Sequence, residues 1–153
     1  MLFYKNSVSL LLNPNIYIIF AFLYVHKELN MYITKKAEHN LKAASLLIEN
    51  ELYAPSIHCS YYAGFQMSKR KLAECGITYD EQDQAARDLS TDSHNYIITT
   101  TEEYVSDPIK YRHNIGKLKR LRKKSDYLNQ EIVKAEAEAA KTSAWDLFSI
   151  LFE

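Results

Sequence analysis

Apolar positions along the chain recur every three or four residues from Thr34 onward. In TKKAEHNLKAASLLIEN, Ala37, Leu41, Ala44, Leu47 and Ile48 fall on one stripe of a 3.6-residue period, which predicts a helix over residues 34–50 with Thr34 as its N-cap. After the joint ELYAP, where Pro55 suits a first helical turn, a second helix reaches about Cys75, and Gly76 supplies its stop. ITYDEQDQAARDLSTDS is acid-rich and lacks a sustained apolar stripe, so it is expected to be a long loop with a short helix near 81–88. A third main helix follows a cap between Thr91 and Ser93 and carries HNYIITTTEEYV. Asp107 and Pro108 then cap and open a fourth, running to about Tyr127. The last segment, QEIVKAEAEAAKTSAWDLFSILF, offers Ile132, Ala135, Ala139, Ala140, Leu147 and Ile150 as its buried side. The pattern is that of an all-α protein, an up-and-down bundle of four to five helices with mostly short connections.

The chain start is patterned differently. SVSLLLNPNIYIIFAFLYV is apolar, but Asn13, Pro14 and Asn15 interrupt it, and the unbroken run from Ile16 to Val25 is ten residues long. A spanning helix needs about 20. No small-residue cleavage site follows the run, so a signal peptide fits poorly. Residues 1–30 are therefore expected to be an apolar extension ahead of a helical domain at 31–153. The extension is either sequence upstream of a working start at Met31 or an added strand or helix packed on the domain. No membrane span is expected, and a cytoplasmic location is.

Composition adds constraints. The chain of 153 residues has 47% hydrophobic and 25% charged residues, which is globular rather than disordered, and only three glycines and three prolines, too few for a turn-rich β protein. Its formal net charge is zero, so any affinity for nucleic acid must be local. Cys59 and Cys75 match no zinc-ligand spacing. His26, His39, His58 and His113 form no metal-like set, and neither metal nor cofactor is expected.

In the second helix, Ser60, Ala63, Gly64 and Ser68 make a small-residue strip flanked by Tyr61, Tyr62 and Phe65. Large residues against small ones let helices approach closely, in the core or at a partner. This stretch, with AEHNLKAASLLIENELY before it, resembles the first two helices of the HEPN superfamily, the higher eukaryotes and prokaryotes nucleotide-binding domains. The resemblance rests on Ala54, Tyr61, Tyr62, Ala63 and Phe65, and on LRKKSDY, where Arg122, Ser125, Asp126 and Tyr127 are similar to the end of the fourth helix in the small one-domain bacterial branch. It covers about residues 34–152.

Catalytic members of that superfamily carry an Arg, four to six residues, then a His. RDLSTDSH supplies Arg87, six residues and His94, with polar Asp88 after the Arg and Tyr96 two positions after the His. The toxin branch uses a spacing of four, and the one-domain branch often keeps the His alone. Histidine titrates near neutrality and suits proton transfer to and from RNA oxygens, and arginine suits the phosphoryl charge. The resemblance thus implies a metal-independent endoribonuclease of toxin type leaving a 2′,3′-cyclic phosphate. It would be a homodimer acting with a minimal nucleotidyltransferase antitoxin that could modify Tyr96. The alternative is a non-catalytic HEPN module binding nucleotide, RNA or that nucleotidyltransferase.

KYRHNIGKLKRLRKK adds a local charge. Its basic residues are Lys110, Arg112, Lys117, Lys119, Arg120, Arg122, Lys123 and Lys124, with no acid among them and Tyr111 as a candidate stacking ring. Phosphate binding by this run is expected to weaken steeply with salt. The competing expectation is a solvated face neutralised by the acidic segment 74–92, within the chain or across a dimer.

Overall fold

The computed structural model describes residues 14–89 and 92–152, with side chains described from Asn30 onward. Its helices are α1 (Pro14–Glu49), α2 (Tyr53–Glu74), α3 (Tyr79–Asp88), α4 (Ser93–Thr101), α5 (Pro108–Tyr127) and α6 (Lys134–Phe152), with a 3-10 turn at Glu102–Tyr104. The fold is all-α, with no strand among the described residues. Four long helices, α1, α2, α5 and α6, form the bundle, and the short α3 and α4 lie against one side of it.

α2 is the central element, packing on all five other helices. The small-residue strip explains how. Ser60, Ala63, Gly64 and Ser68 are all buried within this chain, so the strip serves its own core rather than a partner. A Cβ on Gly64 would come within 2.7 Å of Leu147 Cδ1 on α6 and 3.3 Å of Leu118 Cδ1 on α5. The buried serines return their hydroxyls to the helix, Ser60 to Ser56 O at 2.9 Å and Ser68 to Gly64 O at 3.1 Å.

Helix ends follow local chemistry. Leu52 N bonds Leu47 O while Glu51 N bonds Ile48 O, closing α1 with Glu51 at φ 61°. α2 closes the same way, Ile77 N to Leu72 O and Gly76 N to Ala73 O, with Gly76 at φ 92°. Asp107 caps α5 by accepting from Lys110 N at 2.9 Å, with Pro108 in the first turn.

Several expectations shift. The first helix starts at Pro14 rather than Thr34, and the backbone is continuous through Met31. Residues 1–13 of the expected extension lie outside the described residues. The short helix expected near 81–88 is present and longer, a ten-residue α3 that takes up most of the acidic segment. Thr78 and Glu81 form a reciprocal capping box, and only Gln82 and Ala86 are buried, which is why no apolar stripe announces it. The buried face of α6 runs through Ala137, Ala140, Ser143, Ala144, Leu147, Ile150 and Leu151, so Ala135 is exposed and Ala139 and Ile132 half-buried. Leu47, placed on the α1 stripe, is half-buried. No helix among the described residues is long and apolar enough to cross a membrane.

The Gly64 contact makes a graded prediction. Alanine there gains about 1 kcal/mol of helix propensity but pushes against Leu147, and the two effects roughly cancel. Gly64→Val adds branched bulk where α6 already touches, and urea denaturation should show a loss of about 2–3 kcal/mol.

Candidate functional site

Two neighbouring turns of α2 present Tyr61, Tyr62 and Phe65, with Tyr61 1% exposed. A buried phenol must find a partner for its hydroxyl, and α4 supplies it. Asp92 caps α4 by accepting from His94 N at 3.1 Å, which fixes His94 in the first turn. The imidazole then lies nearly parallel to Phe65, with ring centres 4.3 Å apart, and its Nδ1 is 2.7 Å from the Tyr61 hydroxyl. Tyr62 meets it edge-on at 6.0 Å. No described residue hydrogen-bonds His94 Nε2.

This setting fixes the protonation states. Burial raises the Tyr61 pKa well above the ordinary phenol value, so the hydroxyl keeps its proton. Burial also lowers the His94 pKa, with Arg122, Lys119 and Lys69 adding to the effect and Asp92 opposing it. His94 is neutral at pH 7. Either the Tyr61 hydroxyl donates to Nδ1 and Nε2 carries the proton, or Nδ1–H donates to the hydroxyl and Nε2 is a free base.

A cation covers the same rings. The Arg122 guanidinium lies 5.5 Å from the Tyr61 ring centre, 5.8 Å from Tyr62 and 5.2 Å from Tyr127. Asp126, one turn on, accepts from Arg122 Nε at 2.8 Å and from Ser125 Oγ at 3.0 Å, and lies 3.0 Å from His58 Nδ1. Partial burial opposes the Asp126 charge, but the His58 and Ser125 hydrogen bonds outweigh it and hold the carboxyl below its ordinary range. His58 in turn packs on Tyr62 at 4.6 Å. The two segments that carry the family resemblance, one on α2 and one on α5, thus meet in space around His94.

Arg87 is held within its own helix. It is exposed in the last turn of α3 and donates to Gln84 Oε1 at 2.8 Å, while Asp88 accepts from Gln84 Nε2 at 2.6 Å. No hydrogen bond joins Arg87 to His94 among the described residues, and Ser90 and Thr91 between them lie outside that set. Tyr96 is half-buried against the core.

The basic run divides. Arg112 forms a forked pair with Glu102, Arg122 pairs with Asp126 and Lys124 with Glu136, while Lys119 contacts Asn95 Oδ1. Within the chain, the acids that pair with Arg112, Arg122 and Lys124 are Glu102, Asp126 and Glu136, none of them from segment 74–92. Lys110, Arg120 and Lys123 are exposed, Lys117 is half-buried, and none of the four has a carboxylate partner among the described residues. Tyr111 is fully buried, shares a hydrogen bond of 2.8 Å with Ser68, and is no stacking ring for a base.

His58, Phe65 and Asp126 were missed as site residues. Their signal was spacing, His58 to Tyr62 and Arg122 to Asp126 each being one helical turn. No group of three or more His, Cys, Asp or Glu suited to a metal ion occurs among the described residues.

A family model described as HEPN domain matches residues 31–151. No curated protein and no solved structure matches the chain.

The lowered His94 pKa carries a stability consequence. Because the folded state holds this imidazole less basic than the unfolded chain, whose ordinary value is 6.5, its contribution is present above that pH and is lost as pH falls below it. Chemical denaturation at pH 7 and pH 5 should show a smaller loss between the two for His94→Leu than for wild type. Equal losses would contradict the buried neutral imidazole.

Proposed function

We propose that this chain, which belongs to the HEPN domain family, is an RNA-binding module whose recognition face centres on His94. Membership ties it to nucleotide- and RNA-related chemistry. The observation that carries the proposal is the His94 cluster itself, where a neutral imidazole, flat on Phe65 and tied to Tyr61, stands among the charges of Arg122, Lys119 and Lys69. Rings of this kind stack on bases at about 1–3 kcal/mol each. The unpaired cations Lys110, Lys117, Arg120 and Lys123 on α5 supply phosphate attraction. A homodimer and a minimal nucleotidyltransferase partner belong to the same reading, supported by the family resemblance. Tyr96, two residues beyond His94 on α4, is where modification by such a partner would act beside the site.

A second reading, metal-independent cleavage, is favoured by the His94 geometry. With Nδ1–H donated to Tyr61, Nε2 can accept the 2′-hydroxyl proton. The imidazolium so formed carries that proton on Nε2 and can return it to the departing 5′-oxygen. Arg122, which covers the Tyr61 and Tyr62 rings, is then a cation for phosphoryl charge beside Arg87. Against this reading, Arg122 is already held by Asp126 and Arg87 by Gln84.

One experiment separates the two. Labelled single-stranded RNA is titrated with purified protein in EDTA across a salt series, and products are resolved afterwards. Binding should weaken with salt, and Arg120→Ala with Lys123→Ala should flatten the salt slope by roughly one per charge removed. His94→Ala should weaken binding about tenfold with the slope unchanged, through loss of stacking. Intact RNA supports the binding module. Cyclic-phosphate products lost in both His94→Ala and Arg122→Ala establish cleavage, and absence of binding at low salt overturns both readings.

A further inference from the structure

A cavity of about 390 Å³ opens between α1, α2 and α3 beside the His94 cluster. Its walls include the rings of Tyr32, Tyr62, Phe65 and Tyr79, with Lys36 and Lys69 and the Gln66 amide as its polar groups. Phe65 and Tyr62 are shared, since the same two rings that meet His94 also line this cavity. The size falls within the range of small-molecule sites, and the lining has their usual form, apolar and aromatic walls with a few placed polar groups.

From this arrangement we infer that the cavity is a subsite for one nucleotide, taking its base among the rings and its phosphate at Lys36 and Lys69. The inference rests on the RNA-binding reading and deepens it, since a strand crossing His94 would place a neighbouring base here. Three features favour a nucleotide over an apolar side chain of a partner. Lys36 and Lys69 supply two cations to a single site. Gln66 is oriented by Asn40, whose Nδ2 donates to Gln66 Oε1 at 3.1 Å, so the amide NH2 remains as a donor for a base edge. Tyr79 is held in place, its hydroxyl donating to Asn30 Oδ1 at 2.7 Å, which gives a ring wall already set before any ligand arrives.

Lys69 also has a competitor. Asp83, 54% exposed on α3, holds Lys69 Nζ at 3.0 Å, over the Tyr79 ring at 5.9 Å. An arriving phosphate must displace that carboxylate, so removing its charge should strengthen binding. That gain of function cannot be produced by a misfolded variant.

The test is calorimetric titration of the full chain with AMP, GMP, CMP and UMP, the matching nucleosides, and inorganic phosphate, in parallel with RNA binding. Nucleoside monophosphates should bind wild type. Asp83→Asn should tighten them severalfold, whereas Glu131→Gln, the same charge change on the joint between α5 and α6, should not. Lys69→Ala should weaken them by roughly tenfold, with nucleosides little affected by any of these changes and phosphate alone binding far more weakly. Monophosphates that fail to bind a protein still binding RNA would overturn this inference and leave the RNA-binding reading standing. Unchanged affinity in Asp83→Asn would remove Lys69 from the subsite and overturn it likewise. Failure of both RNA and nucleotide would sink the two together.

Discussion

The structure depends on one buried hydroxyl. Tyr61 projects from the central helix into a region where its ring is almost wholly covered, and leaving its phenol without a partner there would cost about 1–3 kcal/mol. His94 Nδ1 meets that need at 2.7 Å, and in doing so fixes where α4 sits against α2. The Asp92 cap sets the imidazole's position in the helix, Phe65 sets its plane, and Tyr61 sets its rotation. Only Nε2 is left to face a ligand. Core packing and site geometry are thus one arrangement, because the residue that completes the core's hydrogen bonding is also the one with chemistry to offer.

Around that contact burial keeps the imidazole neutral, and the cations Arg122, Lys119 and Lys69 add to it against Asp92. Arg122 covers Tyr61 and Tyr62, and Asp126 together with the aromatic rings holds it in place. Other bases of α5 are similarly tied, Arg112 to Glu102 and Lys124 to Glu136, bridging the helix to its neighbouring segments. The remaining five, Lys119 among them, have no carboxylate partner among the described residues and give a chain of zero net charge a locally positive surface. A protein of this kind attracts phosphate on one helix without behaving as a polycation elsewhere.

Much of the fold was legible in the sequence, and the failures have physical causes. α2 and α5 were marked by caps and stops, Gly76 at one end and Asp107–Pro108 at another, that the structure uses as expected. α3 was legible only as a short helix near 81–88 inside a loop, because it buries only Gln82 and Ala86 and is held mainly by its capping box. α6 was recognised as a helix, but its buried face was misjudged. Alanines at 135, 137, 139, 140 and 144 leave several stripes equally plausible until Leu147 seated at Gly64 chooses one. The site was half legible. His94 was identified, and so was the aromatic strip it packs on, but their contact spans 33 positions and has no local signature. The expected pairing with Arg87 rests on a linear spacing, and Arg122 on α5 covers the Tyr61 and Tyr62 rings that meet His94. Tyr111 was misread because its flanking bases suggest an exposed face, while its place on the helix turns it inward to Ser68.

The most direct measurement is nitrogen-detected NMR of the histidine side chains at pH 7, with and without a short single-stranded RNA. The account predicts a neutral His94 whose Nδ1 resonance reports the hydrogen bond to Tyr61, lost in Tyr61→Phe. It also predicts that the Nε2 resonance shifts on adding RNA while those of exposed His39 and His113 move little. A cationic His94 at this pH, or an Nε2 resonance indifferent to saturating RNA, would contradict it.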